Sequence, residues 1–144
     1  DFLIGNNDRH HGNWGILKNP ATGEVVFSPL YDSGSGLCST KPEATVKKLL
    51  ARGDFLNQVR SGSSVVRHGN VRNSNFASVL KELRKEYPQL FISFASEVHN
   101  YWTDANLQKI IRDVGTYATE DRKLLMYELL KASRNELINR AMSQ

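Results

Sequence analysis

Three oxygen-bearing side chains near the start of the sequence, Asp8, Asn13 and Asp32, have the types and the spacing to handle a metal-bound phosphate. Asp8 and Asn13 share the run Gly5-Asn6-Asn7-Asp8-Arg9-His10-His11-Gly12-Asn13, with four residues between them, and Asp32 follows in Tyr31-Asp32-Ser33-Gly34. Magnesium is a hard cation that takes oxygen ligands in octahedral geometry and shares them with nucleotide phosphates, so an amide oxygen and a carboxylate, Asn13 and Asp32, make a suitable pair. The remaining carboxylate, Asp8, can receive or orient the proton of an acceptor hydroxyl; a loose phosphoryl-transfer transition state asks for positioning more than for a strong base. His10 and His11 lie within reach of a nucleotide or of Asp8, and either can hydrogen-bond a phosphate or fix the loop. Spacing does not choose between them.

A lone Asp-x4-Asn is common by chance, and Asp32 by itself reads as an Asx-turn residue in a loop. The combination is more specific. Four residues separate the Asp and the Asn of the protein-kinase catalytic loop, as they separate Asp8 and Asn13, and Asp32-Ser33-Gly34 stands where the kinase pattern has Asp-Phe-Gly.

The flanking elements must deliver these groups. Trp14-Gly15-Ile16-Leu17 and Val25-Val26-Phe27 are short apolar runs around the turn Asn19-Pro20-Ala21-Thr22-Gly23, which predicts a β-hairpin with Asp32 at its exit. From Lys41 the spacing of Ala44, Val46, Leu49 and Leu50 predicts a short helix that Gly53 ends. Ser64–Arg67 and Val71–Asn73 around His68-Gly69-Asn70 predict a second small hairpin, with Ser74 or Asn75 capping the next helix. The rest reads as helical. Two helices fill 75–102 with a restart at Pro88, a third follows Thr103, and a long fourth follows Thr119. The expected fold is α+β and mainly helical, in one domain over residues 1–144, with a short hairpin behind the catalytic loop and a helical bundle as its body.

Composition agrees with a folded domain: 40% hydrophobic and 24% charged residues argue against intrinsic disorder. No stretch is apolar enough to suggest a membrane span, and a single cysteine, Cys38, excludes an internal disulfide and gives no zinc-ligand spacing, so a reducing cytoplasm is the expected location. The net charge of +4 is unevenly placed. Residues 1–40 carry −2 and residues 41–73 carry +5, which suits a cation-holding front beside a segment that meets phosphates, an acidic partner or nothing but water. The apolar opening Phe2-Leu3-Ile4 reads as a cut within a structural element, with an exposed face that would favour self-association.

Phe2 to Gly15, followed by Pro29-Leu30-Tyr31-Asp32, resembles the C-terminal catalytic region of HipA-like serine/threonine kinases. The resemblance implies a bacterial enzyme, often the toxin of a toxin-antitoxin pair, that uses ATP and Mg2+ to phosphorylate a protein hydroxyl. On that footing Asp8 is the catalytic base, Asn13 and Asp32 are the metal ligands, and His10, His11, Gly12, Asn13, Tyr31 and Asp32 contact the nucleotide. The implied partners are a protein substrate and an antitoxin, with nucleic acid involved only indirectly and no membrane. Asp-Arg-His-x-x-Asn is also similar to the catalytic loop of phosphoinositide lipid kinases, which leaves a lipid acceptor as the rival, and a kinase-like binding module without activity as a third reading.

The departures matter too. The chain carries no glycine-rich phosphate loop and no strand lysine, so alone it is expected to be inactive and to bind ATP poorly, and Ser33 replaces the Phe on which the switch of eukaryotic kinases depends.

Overall fold

The computed structural model describes residues 1–63 and 74–143. The predicted second hairpin at 64–73 lies outside the described residues; its flanks, Ser63 and Asn75, pair as an antiparallel bridge. The fold is mainly helical, as the sequence predicts, with one two-stranded hairpin and six helices among the described residues.

Strand β1 (Ile16–Lys18) pairs antiparallel with β2 (Val25–Phe27), Ile16 facing Phe27 and Lys18 facing Val25. Asn19 builds the turn between them. Its side-chain oxygen accepts from the amides of Ala21 and Thr22, and Gly23 takes the left-handed φ of 73° that the turn requires. All six strand residues are exposed, so the hairpin stands off the helical body.

Helix α1 (Glu43–Arg52) ends where Gly53 turns left-handed and donates to Leu49 and Leu50. Helix α2 (Phe55–Ser61) follows, an element that the sequence reading does not contain. Seven residues give periodicity little to work on, and α2 buries only Val59 fully, leaving Leu56 in solvent. Helices α3 (Phe76–Glu86) and α4 (Pro88–Tyr101) are capped by Asn75 and restarted by Pro88 at N1, and α5 (Asp104–Asp113) is capped by Thr103. Helix α6 (Glu120–Met142) begins at Thr119, whose hydroxyl accepts from Arg122 N.

Helix α6 is the centre of the body and touches all five other helices. Its buried side chains face more than one direction. Leu125 and Leu129 pack with Val46 and Val59, Leu130 with Leu107 and Ile111, and Leu137 with Leu80, Phe91, Ala95 and Val98. A helix enclosed by neighbours needs apolar residues around most of its circumference.

Phe2–Ile4 form a 3-10 turn and are half-buried rather than exposed. Phe2 meets Phe76 edge-on at 5.8 Å and, with Leu3 and Ile4, packs on all three clusters, so the expectation of an exposed apolar cut surface is corrected: these side chains complete the core.

Polar ties position the layers. Glu136, 2% exposed, accepts two hydrogen bonds from Arg60 of α2 and one from Arg140 one turn along α6. Arg122 binds Glu43 and the carbonyls of Cys38, Ser39 and Lys41, fastening the start of α6 to the segment that follows Asp32. No helix among the described residues is long and apolar enough to cross a membrane.

Candidate functional site

The loop from Asn6 to Asn13 has little regular structure of its own and is held by side chains. Asn6, almost fully buried, accepts from Asp8 N through Oδ1 at 3.2 Å and donates through Nδ2 to Asp1 Oδ1 at 3.2 Å. This Asx-type turn raises Asp8 to the surface, where its carboxylate has no hydrogen-bond partner among the described residues. His10 Nδ1 accepts from Gly12 N at 3.1 Å and caps a 3-10 turn over His11–Asn13. A Cβ on Gly12 would sit 3.0 Å from the His10 ring, so this close approach uses the glycine. Of the two open roles for the histidines, loop fixing is the one His10 fills; the His11 ring stands 5.9 Å away and exposed.

Asn13 is 3% exposed. Its Nδ2 donates to the carbonyl of Asp8 at 2.7 Å, which ties the two ends of the Asp-x4-Asn spacing together and fixes the amide plane. Its Oδ1 accepts no hydrogen bond from any described residue.

Arg9 connects this loop with the segment after the hairpin. Only 5% exposed, it donates from Nε to Asp1 Oδ1 at 3.0 Å, from Nη1 to Asn13 O at 2.9 Å and to Tyr31 O, and from Nη2 to Ser33 Oγ at 3.0 Å. One guanidinium therefore gathers the backbone of Asn13 and both neighbours of Asp32. A planar cation with five donors can do this, whereas an ammonium cannot. Asp32 has a left-handed φ of 53° and an exposed side chain, and Trp14 stacks on Phe27 at 5.7 Å to hold the base of the hairpin beside Asn13. A non-glycine residue at that φ carries a local cost that surrounding bonds must hold in place.

The structure thus brings the loop of Asp8, His10, His11, Gly12 and Asn13 against the Tyr31–Ser33 segment. It places Tyr31 with its hydroxyl 3.5 Å from Trp14 O and its carbonyl on Arg9. The donor chemistry fits magnesium, since Asn13 offers an unengaged amide oxygen and Asp32 an exposed carboxylate. Among the described residues no three His, Cys, Asp or Glu side chains cluster as a metal site, so a cation here would share its ligands with phosphate and water. Sequence reasoning gives no role to Arg9, Asn6 or Ser33.

No family model matches the chain. Against characterised proteins it is 28% identical, over 145 aligned residues, to the serine/threonine-protein kinase CtkA of Helicobacter pylori, an alignment covering 83% of this chain and 45% of that protein. The crystal structure of the Helicobacter pylori proinflammatory kinase CtkA superposes with a TM-score of 0.70 at 24% identity, covering 98% of this chain and 50% of that one. The chain is related to a kinase over most of its length and shares the fold of part of it. It spans about half the length of that relative.

Proposed function

We propose that the chain is the helical catalytic lobe of a HipA-like serine/threonine kinase, transferring the γ-phosphoryl group of ATP to a protein hydroxyl. The observation that carries this reading is the Arg9 guanidinium, which holds the carbonyls of Asn13 and Tyr31 on one nitrogen and so sets the Asp8–Asn13 loop beside Asp32. Relatedness to a serine/threonine kinase supports the reaction class.

In the proposed reaction Asp8 accepts the proton of the acceptor hydroxyl as its oxygen attacks the γ-phosphorus, the β–γ bridging P–O bond breaks, and ADP leaves. Asn13 Oδ1 and the Asp32 carboxylate would hold Mg2+, which when bound neutralises charge on the phosphate oxygens. Asn13 is suited to this because its amide is locked by the Asp8 carbonyl, so little ordering remains to be done on binding. His11, Gly12 and Tyr31 lie in the two segments that Arg9 ties together and are proposed to contact the nucleotide. His10 contributes by fixing the loop. An antitoxin-like protein partner belongs to the HipA-like reading and is proposed with it.

The test uses γ-labelled ATP and Mg2+ with the intact polypeptide that carries these residues and with its Asp8→Asn variant. Label passing to protein in the parent and lost in the variant supports the reading. Label passing to phosphoinositide favours a lipid acceptor, and no transfer by either protein leaves a kinase-like module.

A further inference from the structure

A cavity of about 260 Å³ opens between the start of the chain, the segment 35–41, α2, α3 and α6. Its walls are of two kinds. Ile4, Leu37, Val59, Phe76 and Leu129 form an apolar surface continuous with the core. Six polar residues line the same space: Ser133 is buried, Ser35 is half-buried, and Asn7, Thr40, Lys41 and Gln58 are exposed. None of the six side chains makes a hydrogen bond or ion pair with another described residue, and Ser133 is 1% exposed, at the floor on the central helix. A buried hydroxyl ordinarily finds a partner, so the unpartnered Ser133 on a largely apolar cavity rimmed by exposed polar groups is the pattern of a ligand site.

The lining defines what would fit. Among the described residues that line it, Lys41 is the one charged residue and none is a carboxylate. The remaining polar groups are hydroxyls and amides that can donate to oxygen. The volume is below the usual range for drug-sized or nucleotide ligands, so the occupant is fragment-sized. We propose that this cavity binds a small monocarboxylate with an aromatic or branched aliphatic body, its carboxylate taken by Lys41 and the hydroxyl and amide donors, and its body laid against Leu37, Val59 and Phe76.

The walls are built closely. A Cβ on Gly36 would lie 3.2 Å from the Ile4 side chain and 3.3 Å from its carbonyl, and one on Gly62 would lie 2.7 Å from the Phe76 ring. Leu37 and Cys38 both hold left-handed φ values, 52° and 56°, where the chain turns along the cavity edge. Asn7 precedes Asp8 directly and Ser35 follows Asp32 by three residues, so an occupant would lie beside residues adjoining both segments of the candidate site. Binding itself does not depend on the kinase reading.

The experiment titrates benzoate, 3-phenylpropionate and, as neutral and cationic controls, benzamide and benzylamine, following melting temperature and the rate at which iodoacetamide alkylates Cys38, which lines the cavity. The carboxylates are expected to raise the melting temperature and slow alkylation with millimolar affinity, and the controls are not. Lys41→Met, at an exposed position that leaves the fold intact, should weaken carboxylate binding about tenfold, and Ser133→Ala should weaken it without lowering the unliganded melting temperature substantially. Absence of any carboxylate effect, equal binding of benzamide, or full affinity in Lys41→Met would overturn the proposal.

Discussion

The guanidinium of Arg9 donates to the carbonyl of Tyr31, and this contact across the hairpin joins the Asn6–Asn13 loop to the residue before Asp32. Everything placed in the reaction centre hangs on backbone that this buried cation organises. Replacing Arg9 by Met leaves the carbonyls of Asn13 and Tyr31 without their donor and the Asp1 carboxylate with Asn6 alone, and should cost about 3–5 kcal/mol in urea unfolding. Lys keeps the charge but not the fork, and should cost roughly 1–3 kcal/mol. In the intact polypeptide both variants should lose phosphoryl transfer. An Arg9→Met protein that unfolds like the parent would remove Arg9 from this role.

Asp8 behaves oppositely. Its carboxylate is exposed and bonds to no described residue, so Asp8→Asn should unfold at the parent's urea midpoint. If it accepts the hydroxyl proton, turnover of the intact polypeptide in a labelled-ATP assay should fall by about 10²–10⁴-fold. A parallel loss of stability would assign Asp8 to the fold instead.

Much of the fold is legible in the sequence where the signals are local. Gly53, Asn75, Pro88, Thr103 and Thr119 each mark a helix boundary because the chemistry that starts or stops a helix lies within one turn of the boundary. The hairpin is legible for the same reason, from the Asn19–Gly23 turn. Helix α2 is not, since its existence depends on Val59 and Phe55 meeting Leu125 and Leu129, residues far along the chain. The candidate site divides the same way. Asp8, Asn13 and Asp32 are readable as types at a spacing. The role of Arg9 is invisible until Tyr31 and Ser33 are brought beside it, because nothing in the sequence says which cation will be buried.

Acid should find a weak point at Glu136. Burial pushes its carboxyl up, but the hydrogen bonds and charges of Arg60 and Arg140 outweigh that and hold it below its ordinary value of 4.5. A carboxyl depressed on folding contributes stability that is complete above the unfolded value and is lost as pH falls through the folded one. Stability measured by urea should therefore decline from about pH 4.5 downward, and the decline should be shallower in Glu136→Gln. At neutral pH that substitution should cost roughly 2–3 kcal/mol, toward the low side for a buried pair because Arg60 is partly in water. Identical acid profiles for the two proteins would contradict this.

Thr119 performs two tasks at the head of α6, accepting from Arg122 N at 3.2 Å and donating to Glu43 Oε2 at 3.0 Å. Thr119→Ala should destabilise by about 1 kcal/mol, and Thr119→Ser should restore most of it. Thermal unfolding of the pair measures this. Equal loss in both would mean that the methyl group, not the hydroxyl, matters.

Because all five shorter helices rest on residues 120–142, segments that leave the ribosome earlier have no common support until that long helix follows them. The body is therefore completed only once α6 has emerged, and until then the faces of the shorter helices that α6 covers are open to solvent. A ribosome stalled before residue 120 should hold a polypeptide that proteases cut freely at the sites of α1 through α5, and release of the remaining segment should close all of those sites together.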